Sequence, residues 1–488
     1  MASSAPLSDT KRMLLEKYVR GEAFRSLPQA STITKRPAGA PAPLAPSQER
    51  ILRRERQVPE IPPLYNESVT IYRFGALDID ALEQAFTEVI RRHEIWRTTY
   101  TTVNGTAVQV VHPAPEHIPI PFIDQRTVPE HRRLADTVRL ISENARRPFD
   151  MEKGPLVRAS LVRFYDGEFR LYLIVHQSVL DGVSVYQVLL TELSALYDAF
   201  STGKPLPLTE PSIQFGDYAY WQRQNLQGET LQRQLTYWRT QLCGDLPALA
   251  WPTTKPRPAK QSFRGAIQPF AFPKAVGDRA KSLSQQMGVT LFTTLLAAFV
   301  VLLHIYTKQV DFIVGTVSPV GRKRSEVQNL IGYFLNPVPL RFWIGDGPTF
   351  QDLLFRVQEV VAGALTHDDV PFEYLAEELQ PSSDPSRNPF FTVAASLEPP
   401  LADVGPHWSL TPMDVESGGA RWDLYFVWDN RPSGMIGRVQ YNPDLFECEE
   451  ITSLIADFQE VLEKLASNPG EKVSNLRLES SHCSAASI

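Results

Sequence analysis

The sequence predicts an α/β protein of two similar layered lobes, and three observations predict it. Segments with helical periodicity alternate with apolar, strand-like runs as far as Trp238. Three prolines within Trp251–Pro258 then interrupt regular structure. Beyond them the alternation resumes on the same scale, and a chain of 488 residues is too long for one ordinary core.

Taken in order, residues 1–43 read as a flexible leader. A short helix is expected over Lys11–Tyr18, followed by a Pro-, Ala-, Ser- and Thr-rich run from Ser26 to Ser47. An N-terminal lobe is expected over 44–242. Leu82, Phe86, Val89 and Ile90 mark an amphipathic helix between Asp78 and Arg92, and Ala107–Val111 reads as a strand. Phe169–Val175 is a strand after the Asp166-Gly167 turn, and it delivers His176 at its end. Gly182 then allows a sharp turn. Ser184 and Gln187 match a capping box for a helix carrying Val185, Leu189, Leu193, Leu196 and Phe200. Residues 243–265 are the expected inter-lobe linker, 266–478 a C-terminal lobe and 479–488 a tail. In the second lobe Thr290–Thr307, Phe350–Leu365 and Ile451–Leu465 read as helices and Asp311–Thr316 as a strand.

Composition narrows the function classes. Hydrophobic residues make up 43% and charged residues 21%, the balance of a globular protein. A net charge of −6 does not favour nucleic acid, and Arg322-Lys323-Arg324 reads as a solvated basic loop. Cys243, Cys448 and Cys483 have neither metal nor disulfide spacing, which points to a reducing cytoplasm. The longest apolar run, Leu291–Ile305, is broken by Thr293 and Thr294 and is too short to span a bilayer, so no membrane is expected. A monomer is expected.

The sharpest motif is His176-Gln177-Ser178-Val179-Leu180-Asp181-Gly182, one residue away from the acyltransfer signature His-His-x-x-x-Asp-Gly. Strand, tight turn and helix form a rigid mount for polar side chains. Other polar clusters have structural readings. Arg92-His93 ends a helix, where such residues satisfy carbonyls and the dipole. Tyr218, Tyr220 and Trp221 read as core aromatics, and Asn336 and Asn388, each before a proline, as turn residues. His367-Asp368-Asp369 cannot easily converge on an ion, so no metal site is expected.

Several ordered motifs together resemble the condensation domain of nonribosomal peptide synthetases, within the chloramphenicol-acetyltransferase-like superfamily. They are Pro43-Leu44 through Gln48 and Arg50, Arg92–Thr98, the His176 stretch, Phe215–Trp221, Ile331–Asn336, His367–Glu373 and Ser386–Pro389. The resemblance runs from about Leu44 to Leu478. It implies two acetyltransferase-like lobes in a V-shaped pseudo-dimer with a central tunnel. Acyl or peptidyl carrier proteins would present phosphopantetheine thioesters at its mouths, with no cofactor bound to the domain itself. It also implies a site at His176, Gln177 and Gly182, with Asp181 paired to an arginine; Arg322 is the candidate by position. Ser178, Ser184, Tyr333, Asn336 and Asn388 are candidates for contact with substrate. The chain nears its end at Asn475–Ser480, where the family's domain ends, so a free-standing protein or an excised domain is expected, and Met1 with the leader favours the former.

Gln177 decides the chemistry. Amide formation from a thioester needs a neutral amine, an oxyanion intermediate and loss of protons from nitrogen. A glutamine amide donates and accepts hydrogen bonds but cannot act as a general base. An amine with a pKa of about 8 is partly neutral at physiological pH, whereas an alcohol depends far more on a base. Gln177 therefore argues against ester formation more than against amide formation. Three readings stand: an acyltransferase joining a carrier-bound acyl thioester to a small-molecule amine acceptor, a catalytically degenerate module that recruits carrier proteins or tailoring enzymes, and a non-condensing, cyclase-type enzyme. A coenzyme A-dependent acetyltransferase shares the His motif, but the signatures elsewhere weigh against it.

Overall fold

The computed structural model describes residues 32–57, 62–253, 255–381, 384–412 and 415–478. The expected helix at Lys11–Tyr18 and the tail lie outside them. In chain order the strands are β1 Ala42–Pro43, β2 Asn66–Phe74, β3 Thr98–Val103, β4 Thr106–Val111, β5 Phe122–Asp124, β6 Val157–Tyr165 and β7 Glu168–His176. The second half contributes β8 Ala266–Ala271, β9 Asp311–Ser318, β10 Asn336–Trp343, β11 Val393–Leu397, β12 Trp408–Pro412, β13 Leu424–Arg431 and β14 Gly434–Tyr441.

These strands form one sheet ordered β12-β2-β7-β6-β5, a second ordered β10-β9-β11-β13-β14-β8, and a small one ordered β1-β4-β3. Helices cover the sheets because each presents one apolar stripe. The helix Ile79–Arg92 starts where Asp78 Oδ1 accepts from the Ala81 amide, and it buries Leu82, Phe86, Val89 and Ile90. Leu291–Thr307 starts at Thr290, whose hydroxyl oxygen accepts from the Thr293 amide. Its interrupting threonines are buried and satisfied: Thr293 bonds Thr290 at 2.9 Å and Thr294 bonds Ser284 at 2.7 Å. Among the described residues no single helix is long and apolar enough to cross a membrane. Leu291–Thr307 and the preceding Lys274–Met287 form a pair bent by 110°.

The two cores do not divide at the proline-rich break. Leu235 and Trp238, on the helix Gly228–Gln241 assigned to the first lobe, pack into the core of the second half with Leu242 and Leu249. In return Leu410 of β12, with Trp408, Val327, Leu330, Ile331 and Phe334, packs into the core of the first half. β12 runs antiparallel to β2, with Leu410 opposite Ile71, and covers what would be an open sheet edge. Apolar contacts therefore cross the linker expected at residues 243–265 in both directions. Prolines mark where regular structure stops, whereas the cores are assigned by apolar contacts that cross the break. Residues 243–265 hold no named helix or strand, yet Trp251 stacks on Tyr306 and Arg257 pairs with Asp423 at 2.6 Å. The described part of the expected leader is held by contacts. Arg36 pairs with Asp217 at 2.8 Å, and Ala42 lies opposite Gln109.

Candidate functional site

β7 carries His176 to the seam between the halves, where a 3-10 turn over Gln177–Val179 follows. His176 is fully buried between the rings of Tyr65 and Phe149, both edge-on. A polarised chain of hydrogen bonds fixes its tautomer. Gln48 Nε2 donates to the Tyr100 hydroxyl at 2.9 Å, and Tyr100 donates to Ser178 Oγ at 3.1 Å. Ser178 Oγ lies 2.7 Å from His176 Nδ1, which also faces the Ser178 amide. Nδ1 is therefore the acceptor, and Nε2–H points to Glu55 Oε1 at 2.9 Å. Burial pushes the Tyr100 hydroxyl up, keeping it protonated as a donor.

His176, expected among the catalytic residues, thus has both ring nitrogens engaged within the chain. Ser178, expected near substrate, belongs to the same buried chain.

Gln177 differs from its neighbours. Its backbone amide donates to Tyr65 O at 2.7 Å, and the residue is 4% exposed. Its Oε1 is buried without a hydrogen-bond partner, as are the Tyr65 hydroxyl and Glu55 Oε2. An orphaned buried acceptor costs about 1–3 kcal/mol, so the site gains from a donor arriving there.

Asp181 and Arg322 meet across the seam. Arg322 Nη2 donates to Asp181 Oδ1 at 2.8 Å and Nε to Oδ2 at 3.2 Å, with side chains 5% and 0% exposed. Arg322 Nη1 also donates to the carbonyls of Val327 and Leu330 at 2.7 and 2.8 Å. Asp181 accepts further from the Ser184 and Phe334 amides. Every oxygen of Asp181 is spoken for, which makes it a clamp between the halves and takes it out of proton transfer.

The expected capping box at Ser184 and Gln187 does not form. Asp181 Oδ1 accepts from the Ser184 amide instead, while the Ser184 hydroxyl takes Arg322 Nη2 at 2.7 Å and reaches the Gly332 carbonyl at 3.1 Å. Gln187 turns to the Pro400 carbonyl. The first turns, Ser184–Leu189, wind as a π-helix before Leu190–Thr202 continues as an α-helix.

The remaining candidates separate. Tyr333 is buried and accepts from Arg50 Nη2 at 3.0 Å. Asn336 begins β10, donates to the carbonyls of Asp368 and Val370, and accepts from the Phe372 amide at 3.0 Å. It staples the start of β10 to the 368–372 segment. Asn388 is different: it accepts from Arg54 and lines a cavity of about 280 Å³ with Arg50, Arg53, Glu373 and Arg421.

Other motif residues take structural roles. His93 and Arg92 turn away from their own helix to Glu192, at 3.0 and 3.1 Å. Tyr218 is buried in the first core. His367 stacks on Tyr237, Asp368 bonds Ser318 and Lys323, and Asp369 accepts from Gln234. Among the described residues, no three His, Cys, Asp or Glu side chains are grouped to hold a metal ion.

The sequence reading also missed Glu55 and Tyr100. Glu55 was legible in principle, since Gln48 and Glu55 lie seven residues apart on the helix Pro46–Gln57 and so share a face.

A family model for the condensation domain matches residues 40–486. The chain belongs to the condensation domain family, the amide-forming acyltransferase domain of nonribosomal peptide synthetases. One of the linear gramicidin synthase proteins of Brevibacillus parabrevis is 38% identical over 441 residues, covering 89% of this chain but 6% of the relative. The chain therefore spans only a small part of the curated relatives it matches first. The X-domain from teicoplanin biosynthesis is 27% identical with a TM-score of 0.78, covering 92% of this chain and all of that one; its complex with OxyB gives 0.76. The first condensation domain of the calcium-dependent antibiotic synthetase has a TM-score of 0.79 over 91% of this chain and all of that one, at 19% identity, and so supports the fold.

Proposed function

We propose that this condensation domain joins an acyl thioester on one carrier protein to an amine acceptor, with Gln177 acting as a hydrogen-bond acceptor for the incoming nitrogen. Carrier domains presenting phosphopantetheine thioesters at either end of a tunnel along the seam are the partners this reading requires. The unpaired Cys243 and Cys448 are consistent with a reducing cytoplasm as its place.

The observation that carries the reading is the orphaned Gln177 Oε1, an acceptor in the motif with no donor of its own. An amine N–H supplies what that oxygen lacks. Such a contact positions the nucleophile, and positioning can lower the barrier without proton transfer to the positioning group. Asp181, Arg322, Ser184 and the Gln48–Tyr100–Ser178–His176–Glu55 chain hold the loop in place.

The test loads a carrier protein with an acyl group, supplies an amine acceptor and follows the product by intact-protein mass spectrometry. Amide formed by the unmodified protein and lost in Gln177→Ala is the expected result. Turnover only after Gln177→His would overturn the role given to Gln177.

A second reading has a specific observation behind it. The likeness to the teicoplanin X-domain, whose complex with OxyB is a solved structure, fits a module that recruits a partner enzyme without chemistry. Carrier binding with no product from any form of the protein would favour it.

A further inference from the structure

The ionisable groups touching residues 176–182 are not equally committed. His176 has both nitrogens engaged, Asp181 both oxygens, and the free oxygen of Glu55 is sealed from solvent. Glu398 stands apart. It follows β11, where its backbone amide donates to the Trp428 carbonyl at 2.8 Å. Its Oε1 takes Arg438 Nη2 at 2.5 Å, and its side chain is 15% exposed. No described group hydrogen-bonds Oε2.

That free oxygen is aimed at the motif. A Cβ placed on Gly182 would lie 3.1 Å from Glu398 Oε2 and 3.6 Å from Pro399 Cδ. The missing Cβ at 182 is thus what lets the carboxylate oxygen pack against the loop. Around Glu398 stand Arg438 on β14, Asp429 and Tyr425 on β13, Glu67 on β2 and Tyr186 of the π-helical turn. Asp429 is itself occupied by Arg431 at 2.7 Å and the Tyr186 hydroxyl at 3.0 Å, and Glu67 by Arg421 at 3.4 Å.

We propose that Glu398 is a catalytic residue of this chain, holding the acceptor amine with Oε2 beside Gly182 and taking the proton that the nitrogen sheds. The inference rests on the amide-forming reading. In the step, the amine nitrogen bonds to the thioester carbonyl carbon and the carbon–sulfur bond breaks. One N–H proton passes to the Glu398 carboxylate and from there to the leaving thiolate, so that amine and thioester become amide and thiol. Gln177 accepts the other N–H and Glu398 supplies the proton acceptor that an amide side chain cannot be. Burial pushes the Glu398 carboxyl above the ordinary Glu range, with Arg438 opposing and Asp429 and Glu67 adding to the rise, which makes it a better base at neutral pH than a solvated carboxylate.

The experiment compares Glu398→Gln, Glu398→Asp and the unmodified protein in single-turnover amide formation, using an acyl-loaded carrier and S-glycyl-pantetheine as acceptor. A loss of about 10²-fold in Glu398→Gln is expected at pH 7, partly recovered in Glu398→Asp. The ratio of unmodified to Glu398→Gln rates should also shrink toward pH 9 as hydroxide takes over removal of the nitrogen proton, which a merely structural loss would not produce. A Glu398→Gln rate within about threefold of the unmodified protein overturns the proposal. If the unmodified protein makes no amide, the functional reading fails separately. Calorimetric binding then still decides on Glu398, with the amide analogue of S-glycyl-pantetheine and its N-acetyl form as probes. Weakening of about tenfold by Glu398→Gln for the free amine alone is expected, and equal affinities for both probes overturn the contact.

Discussion

Removing Asp181 should unfold the seam before it alters any chemistry. In Asp181→Ala, Arg322 keeps its bonds to Val327, Leu330 and Ser184 but loses the carboxylate that neutralises it. The Ser184 and Phe334 amides lose their acceptor as well. With side chains 5% and 0% exposed, breaking this pair costs about 3–5 kcal/mol, most of it from the uncompensated buried charge. Arg322→Met strands Asp181 in the same way and should cost about as much. The double variant leaves no buried charge, so its cost should fall short of the summed singles by about 2–3 kcal/mol. Urea unfolding followed by tryptophan fluorescence reads all four corners of the cycle. Single variants each costing under about 1 kcal/mol, with an additive double, would refute the clamp.

Two further outcomes test the account. Leu410→Ala should cost about 2–5 kcal/mol, because Leu410 is fully buried in β12, and hydrogen exchange should rise in the β2 peptide Asn66–Phe74. Unchanged protection there would contradict the exchange of strands between halves. Glu192 is buried, which favours its neutral form, but hydrogen bonds from His93 and Arg92 outweigh this and hold its carboxyl below the ordinary Glu value of 4.5. Its folded value is depressed, so its contribution is complete above 4.5 and lost as pH falls through the folded value. Midpoints of urea unfolding should therefore drop more steeply between about pH 5 and 3 in the unmodified protein than in Glu192→Gln. Parallel slopes would refute the assignment.

Local signals were readable and most remote ones were not, the Asp181–Arg322 pair, expected from the family resemblance, being an exception. Helical period and an Asp cap define Ile79–Arg92, and an apolar run after Asp166-Gly167 defines β7. The Ser184-x-x-Gln187 pattern misled because it is a local signature, whereas Arg322 arrives from 138 residues away and competes successfully for the Ser184 hydroxyl. The proline-rich break misled in a similar way, since β12 returns to pair with a strand more than 300 residues earlier. Nothing in Leu397-Glu398-Pro399 announces a group that faces Gly182. That contact depends on how β11 ends against the seam.

The central claim is that this site steadies an amine without a titrating residue at position 177. A competition on one acyl-loaded carrier, between an amine acceptor and its hydroxyl counterpart of equal shape, tests it most directly. The account predicts that amide outpaces ester in the unmodified protein, and that the ester-to-amide ratio rises in Gln177→His, where an imidazole adds a base beside the alcohol. Ester formed by the unmodified protein as fast as amide would contradict it.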